Sequence, residues 1–417
     1  MAEVQNSDNT TAYSMRAPAH RAELTEVGRG TPMGELMRRY WHVVGLSRDA
    51  TSTPRQIRLL GEDLILFRDG KGRVGLVHNR CCHRGTTLYY GKVEETGIRC
   101  CYHGWLFDVE GRCLEQPCEP DLGAKSRNKA RQPWYPVEER YGLIWAYMGP
   151  PEKKPVLPRY EIFENLKLGE FLEVDDTSIG TQGDAVMPCN WLQHYENVMD
   201  PAHVRVLHGT HSGPQFGADL ITGTFVMPDF RETPRGVEFR GEGEFRRGCT
   251  VQGDGRYNAC ELLLPCIRAV PNPFYSEPDA PCEALGFIMP IDDTHFRIYT
   301  VGRTTVKGRV FTIPPEIFQE FARAGSNMPN WFQMTEEERR AKPGDWEAQT
   351  GQGPITIHSE EHLLSSDRGV ILVRKMLYEQ LNRMERGENP KNLCFDPNAP
   401  PIKLTAGGNW SSPPPLI

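Results

Sequence analysis

Residues Cys81 to Trp105 read CCHRGTTLYYGKVEETGIRCCYHGW, four cysteines and two histidines within 25 residues. Thiols and imidazoles crowded in this way are the side chains that hold transition metals. One parse runs C-x-H, sixteen residues, C-x-x-H, and picks out Cys81, His83, Cys100 and His103. Six of the chain's twelve cysteines (Cys81, Cys82, Cys100, Cys101, Cys113 and Cys118) gather in this part of the sequence. In a reducing compartment such residues read as thiols or metal ligands rather than disulfides.

Two cysteines and two histidines suit a tetrahedral structural zinc, and a scatter of unligated buried thiols is simpler still. A third reading is a Rieske [2Fe–2S] centre, in which two thiolates hold one iron and two imidazoles the other. Zinc fingers tend to place both cysteines in one knuckle and both histidines on a helix. Here each cluster supplies one of each, between strand-like segments, which favours the Rieske centre. The register has rivals, because Cys82 and Cys101 adjoin the proposed ligands and Cys101-x-His103 also fits a C-x-H spacing. With Cys81 and Cys100 as ligands, Cys82, Cys101, Cys113 and Cys118 are expected to be small buried fillers.

A Rieske centre alone would serve an electron carrier as well as an oxygenase. The segment ENVMDPAHVRVLH separates the two classes: four residues lie between His203 and His208, and Asp200 lies three before the first. Two histidines and a carboxylate on one face leave iron(II) with open positions for O₂. His211 is a rival second imidazole with the wrong spacing, and His194 reads as a helix-face residue near the site. The segment GKGRVG (Gly70, Gly72, Gly75) fits a dinucleotide-binding pattern, but strand-like residues follow it where that fingerprint needs a helix, so a hairpin turn is expected.

The elements that must hold these residues are mixed. A chain of 417 residues exceeds the usual size of one core, and 38% hydrophobic with 25% charged residues describes a globular protein. A net charge of −7 argues against nucleic acid as partner. No run is long and apolar enough to span a membrane, and the polar start lacks a signal peptide's apolar core, so a cytoplasmic protein is expected. Residues 1 to about 20 read as a loose tail. Thr31 then caps a helix with Pro32 in its first turn. Strand patterns run from Gln56 to Asn79 and again in YGLIWAYMG, and the proline-rich PPEKKPVLP reads as a linker. NWLQHYENVMDPAHVRVLHGTH is a helix broken at Pro201. Long strands follow, and Val370, Val373, Leu377, Leu381 and Met384 mark a last helix. Strands and helices segregate, so the fold class is α+β. The expected division is a tail and helix over 1–41, a first domain over 42–150 and a second over 151–417.

NRCCHRGTTL and CCYHGWLFDVEG resemble the two cluster loops of the Rieske non-haem iron aromatic oxygenases, although Cys82 and Cys101 stand where that family more often has proline. The resemblance extends to a pattern E-N-x-x-D-x-x-H-x-x-x-x-H, with Glu196, Asn197, Asp200, His203 and His208 in place. GDWEAQTGQGPITIH is similar to the C-terminal signature of the phthalate dioxygenase and dehydrodivanillate O-demethylase branch. That likeness makes Asp345, with Gln349 and Gly353 at the family's offsets, the third iron ligand. Gly344 replaces the usual glutamine, and Glu347 is the alternative carboxylate. The resemblance implies an oxygenase (alpha) component with an all-β Rieske domain, a helix-grip catalytic domain with an antiparallel sheet, and head-to-tail homotrimers. Its electrons would come from a separate NAD(P)H reductase or ferredoxin. It also implies that Asp200 bridges His203 and the His103 of an adjacent subunit, while its position equally suits a cap on the helix starting at Pro201. The implied reaction is O-demethylation of a bulky methoxylated aromatic acid, with cis-dihydroxylation of phthalate- or phenoxybenzoate-type substrates as the alternative.

Overall fold

A computed structural model describes residues 12, 15, 17–175, 185–212, 227–242, 244–246, 249–251, 257–270, 284–305 and 334–410. Most of the expected N-terminal tail lies outside them. Helix α1 (Pro32–Met37) starts as the sequence dictates, with the Thr31 hydroxyl accepting the Gly34 N–H at 3.2 Å. Ten strands follow: β1 (Trp41–Leu46), β2 (Arg55–Leu59), β3 (Glu62–Arg68), β4 (Val74–His78), β5 (Lys92–Glu94), β6 (Gly97–Arg99), β7 (Leu106–Phe107), β8 (Cys113–Glu115), β9 (Val137–Arg140) and β10 (Leu143–Tyr147). They form three antiparallel sheets, ordered β1-β10-β9, β2-β3-β4 and β5-β6-β7-β8. GKGRVG lies at the turn from β3 into β4, where the Gly72 N–H donates to the Asp69 carbonyl at 2.9 Å.

The ten strands serve two cores. Ile65, Phe67, Val77, Leu88, Ile98 and Phe107 enclose Cys81, Cys100 and Cys113 in a small core of their own. The other face of β3 (Leu64, Leu66), together with β1 and β10, belongs to a larger core that continues into the C-terminal half. Trp145 meets Phe287 edge-on with ring centroids 4.9 Å apart. The proline-rich stretch after β10 is pinned rather than free. Pro155 accepts the Trp41 indole N–H at 2.9 Å, and the Val156 N–H donates to Cys394 at 2.8 Å. Its apolar residues, with Leu157 buried, are better covered than left in water.

The second half is a sheet with helices. Helices α2 (Trp191–Val198), α3 (Asp345–Thr350) and α4 (Arg368–Glu385) accompany β11 (Phe171–Asp175), β12 (Asp229–Glu232), β13 (Gly236–Glu242), β14 (Glu244–Arg246), β15 (Cys249–Val251), β16 (Tyr257–Leu263), β17 (Ile267–Ala269), β18 (Ala284–Asp292), β19 (His295–Thr304) and β20 (Gly408–Trp410). Eight strands make one antiparallel sheet, ordered β11-β19-β18-β17-β16-β13-β12, with β20 joined to β16. Helix α4 lies against β12 and β13 and buries Val370, Val373, Leu377 and Leu381, the stripe read from its periodicity. This is the expected α+β architecture. Among the described residues, no helix is long and apolar enough to cross a membrane.

The segment expected as one helix broken at Pro201 is more divided. Helix α2 ends at Val198 because proline cannot extend it, and the Asp200 carboxylate restarts the helix by accepting the Ala202 N–H at 3.1 Å. From Val204 to His211 the turns are wide, and the Ser212 N–H reaches back five residues to Leu207 at 2.8 Å.

Arg374 ties α4 to α2. Its guanidinium grips Glu196 at 2.6 and 2.8 Å and Glu361 at 2.6 and 2.7 Å, all with little exposure. Burial works to raise both carboxylates; Arg374 outweighs it at Glu361, which ends below its ordinary value, but not at Glu196, which ends above. Arg374→Met strands two buried carboxylates, and a loss of about 3–5 kcal/mol is expected. Both groups would then have folded pKa values above their unfolded ones, so this added penalty should shrink as pH falls from 8 to 6. Denaturation midpoints of variant and wild type at the two pH values check the sign; a deficit that grows on acidification would contradict it.

Candidate metal centres

The loops carrying Cys81 and Cys100 close with the same pair of hydrogen bonds. In the first, the Gly85 N–H donates to the Cys81 carbonyl at 2.9 Å and the Cys81 N–H to Thr86 at 2.9 Å. In the second, the Gly104 N–H donates to Cys100 at 3.1 Å and the Cys100 N–H to Trp105 at 2.9 Å. Gly85 and Gly104 hold φ of +80° and +71°, the left-handed region glycine enters without strain. Both cysteines point inward at 3% exposure and pack into the same small core. Burial, reinforced by Cys100, pushes the Cys81 thiol up to about 12, so a metal must displace that proton to bind. The imidazoles sit further out. The His83 and His103 rings lie 4.6 Å apart, and His83 stacks on Trp105 at 4.3 Å.

Paired thiols within and paired imidazoles without form two levels rather than one tetrahedron. Among the described residues, the His/Cys/Asp/Glu group whose ligand atoms all come within 4.8 Å of one another is His203, His208 and Asp345. The four residues of the loops form no such compact set. They fit a two-metal cluster better than a single zinc, whose ligands crowd about one ion. In the rival register Cys82 and Cys101 are exposed, whereas Cys81 and Cys100 are buried in one core. The expectation of buried fillers is corrected at three positions. Cys113 is buried, whereas Cys82, Cys101 and Cys118 are exposed. Cys82 and Cys101 follow inward-pointing residues in loop backbone and so face outward, and Cys118 lies in the loop after β8.

The second centre draws on two distant segments. His203 Nε2 lies 3.6 Å from Asp345 Oδ1, and His208 Nε2 lies 3.2 Å from Asp345 Oδ2. Residues five apart on an α-helix point roughly 140° away from each other. The wide turns after Val204 reduce that angle, and the two imidazoles face the same carboxylate with ring centroids 5.3 Å apart. Burial works to raise the Asp345 carboxyl, but His208 and His203 hold it well below the usual carboxylate range. Burial lowers His203, keeping it in the neutral form that ligates metals. Among the alternatives, Glu347 is occupied at the start of α3, accepting the Gly344 N–H at 2.9 Å, and His211 is exposed.

Asn197 and Asp200 both adjoin this centre. The Asn197 amide reaches Asp345 Oδ1 at 3.5 Å. The Asp200 main-chain carbonyl meets His203 Nδ1, while its carboxylate caps Ala202 and keeps one oxygen 4.0 Å from the same nitrogen. Within the chain, the cap and the carbonyl contact are therefore what Asp200 provides. Sequence reasoning placed His194 on a helix face. It is instead buried at 1% exposure, bonded through Nδ1 to Gln349 Oε1 at 3.1 Å and lowered by burial to about 3. Gln193 and Arg374 were not singled out as site residues, because their partners (the Gln349 and Gly353 carbonyls, Glu196 and Glu361) come from remote segments.

The Rieske [2Fe-2S] domain model matches residues 40–128 of the chain. The phenoxybenzoate dioxygenase subunit alpha of Ectopseudomonas oleovorans is 44% identical over 409 residues, covering 96% of this chain and 94% of its own length. The chain belongs to the Rieske non-haem iron oxygenases. The 5,5′-dehydrodivanillate O-demethylase oxygenase subunit of a Sphingobium strain is 34% identical, over 90% of this chain and 82% of its own. A solved structure, the Pseudomonas putida CBB5 NdmA QL mutant with caffeine, shares the fold with a TM-score of 0.63 at 18% identity, covering 88% of this chain and 99% of that one. As an oxygenase of this kind the protein carries both a Rieske cluster and a mononuclear iron, and the two residue groups described above fit them.

Two expectations test the assignments in this Rieske oxygenase. His83→Cys or His103→Cys should abolish the Rieske electron paramagnetic resonance signal of the reduced protein, while Cys82→Ser and Cys101→Ser leave it intact. A signal lost in the serine variants would reverse the register. Asp345→Ala should lose the mononuclear iron with the cluster spectrum unchanged, whereas Glu347→Ala keeps both; metal analysis showing the opposite pattern would make Glu347 the ligand.

Proposed function

We propose that the protein is the oxygenase component of a system that oxidises an aromatic acid bearing an aryl ether, with O₂ and electrons from a separate NAD(P)H reductase or ferredoxin. In this reading Cys81, His83, Cys100 and His103 hold the cluster, and His203, His208 and Asp345 hold iron(II). The carrying observation is the convergence of Asp345 on the two imidazoles, which supplies two histidines and one carboxylate. When bound, the cluster relays electrons singly and the iron offers open positions where O₂ is activated. The chain's own residues keep that site in order. Asp345 stays ionised, His203 stays neutral and is turned by the Asp200 carbonyl, and Asn197 holds the carboxylate from the side. The half-exposed Asp200 carboxylate is left available for the His103 of a neighbouring subunit, consistent with a head-to-tail homotrimer.

Two oxidations share this chemistry, each using one O₂, two electrons and two protons. O-demethylation hydroxylates a methoxy carbon, and the resulting hemiacetal collapses to formaldehyde and a phenol. Ring dihydroxylation places both oxygen atoms on neighbouring ring carbons; at an ether-bearing carbon the product expels the second ring as a phenol and leaves a catechol. The likeness to the 5,5′-dehydrodivanillate O-demethylase oxygenase subunit leans toward the first. The higher identity to the phenoxybenzoate dioxygenase subunit supports the second, and it is the reading adopted here. With a compatible reductase, NADH and ¹⁸O₂, a phenoxybenzoate should yield a catechol carrying two labelled oxygens and an unlabelled phenol, with no formaldehyde. Formaldehyde and an unlabelled phenol from a methoxylated biaryl acid, with phenoxybenzoate untouched, would make the protein an O-demethylase instead.

A further inference from the structure

Helices α2 and α3 face each other across two side-chain rungs. His194 Nδ1 meets Gln349 Oε1 at 3.1 Å, and Asn197 Nδ2 meets Asp345 Oδ1 at 3.5 Å. His194 and Asn197 are three residues apart on α2, and Asp345 and Gln349 are four apart on α3, so each helix offers both of its rung residues on one face. The rungs differ in strength and in what else they must do. The Asn197 contact is long, and it uses the same carboxylate oxygen that lies 3.6 Å from His203 Nε2. A metal bound there competes with Asn197 for that oxygen. The His194 rung has no such competitor, because both its members are buried at 1% exposure.

Helix α3 is only six residues long and cannot fix its own orientation. At its start the Ser212 hydroxyl donates to the Pro343 carbonyl at 2.6 Å, and at its end the Gln193 amide donates to the Gln349 carbonyl at 2.8 Å. Both ties grip the backbone and locate the ends of α3; its rotation about its own axis is left to side chains, with Trp346 packed against the larger core and Gln349 reaching α2. Rotation is what aims Asp345. The Gln349 side chain, one turn on and on the same face, is held by His194 and so fixes that angle.

We infer that His194 and Gln349 are positioning residues for the mononuclear iron site, their hydrogen bond setting the rotation of α3 that presents Asp345 to the metal. The inference rests on Asp345 being a ligand. The pair is an expensive way to hold two helices together. With Nδ1 donating to Gln349, His194 Nε2 has no partner among the described residues, and neither has the Gln349 amide nitrogen, both fully buried. Apolar residues of similar shape would pack the same contact without burying unpaired polar atoms. A role confined to stability therefore predicts that a variant which still folds without the rung binds metal as the wild type does.

The experiment uses the full-length protein, with the cluster intact and the mononuclear iron removed by mild chelation, titrated with cobalt(II). His194→Phe keeps a ring without the donor, Gln349→Met removes the acceptor, and His194→Asn restores a donor near the Nδ1 position. The first two should keep the cluster signal and the thermal midpoint, weaken cobalt binding about 10–100-fold and shift its visible ligand-field bands. His194→Asn should recover most of both. In the iron-loaded enzyme, the first two variants should release more peroxide per O₂ consumed. Wild-type cobalt affinity and spectrum in His194→Phe and Gln349→Met would overturn the inference, as would loss of the fold in both, which would make the rung structural. Asp345→Ala is the control that separates the two readings. If it also binds cobalt as wild type does, the ligand assignment is at fault; if it alone fails, the positioning role is.

Discussion

The contact of the Asp345 carboxylate with the His203 and His208 imidazoles governs the catalytic half of the molecule. A carboxylate this poorly exposed is costly to ionise, and the two imidazoles do most to offset that cost. The surrounding elements make the convergence possible. Pro201 ends one helix and Asp200 starts the next, the wide turns bring both histidines to one side, and Arg374 holds α2 against the gripped helix α4.

The cluster loops use a different strategy. They are hairpin tips closed by matched backbone hydrogen bonds, set over a small core made from one face of β3 and its neighbours. One distant side chain braces the first of them: the buried Gln132 amide accepts the Cys82 N–H at 2.8 Å and donates to the His78 and Arg80 carbonyls at 2.8 and 2.9 Å. Strand β3 contributes to both cores, Ile65 and Phe67 to one and Leu64 and Leu66 to the other, so the alternation of a single strand joins the cluster-bearing sheets to the larger body. The cores beneath the two centres thus share one strand, although the centres' residues come from unrelated local structures.

Much of this was legible in the residues, and the exceptions have physical reasons. Cysteine and histidine at short spacing declare themselves because few other arrangements hold a metal, and the α4 stripe declares itself by period. Asp345 had no such local signature; only likeness to a family singled it out from Glu347, and geometry then gave Glu347 a capping role. The wide winding after Val204 was invisible because the same residues fit an ordinary helix, and it shows only in backbone bonds. His194, Gln349 and Arg374 act through partners remote in sequence, which one-dimensional patterns do not reveal. The outward turn of Cys82 and Cys101 follows from which neighbour the core claims, a choice between adjacent identical residues that composition cannot make.

Reaction type is a different kind of property from metal ligation. Demethylation and ring dihydroxylation draw the same electrons through the same centres, and both proceed from the same three ligands. What separates them is which substrate carbon comes to rest nearest the iron. The ligands cannot encode that choice, since they face the metal and not the substrate. It must reside in the side chains that meet the substrate. A relative that shares every ligand can therefore differ in reaction while differing only in a few of those residues, and overall identity weighs more than the ligand motif when one oxidation is preferred to the other.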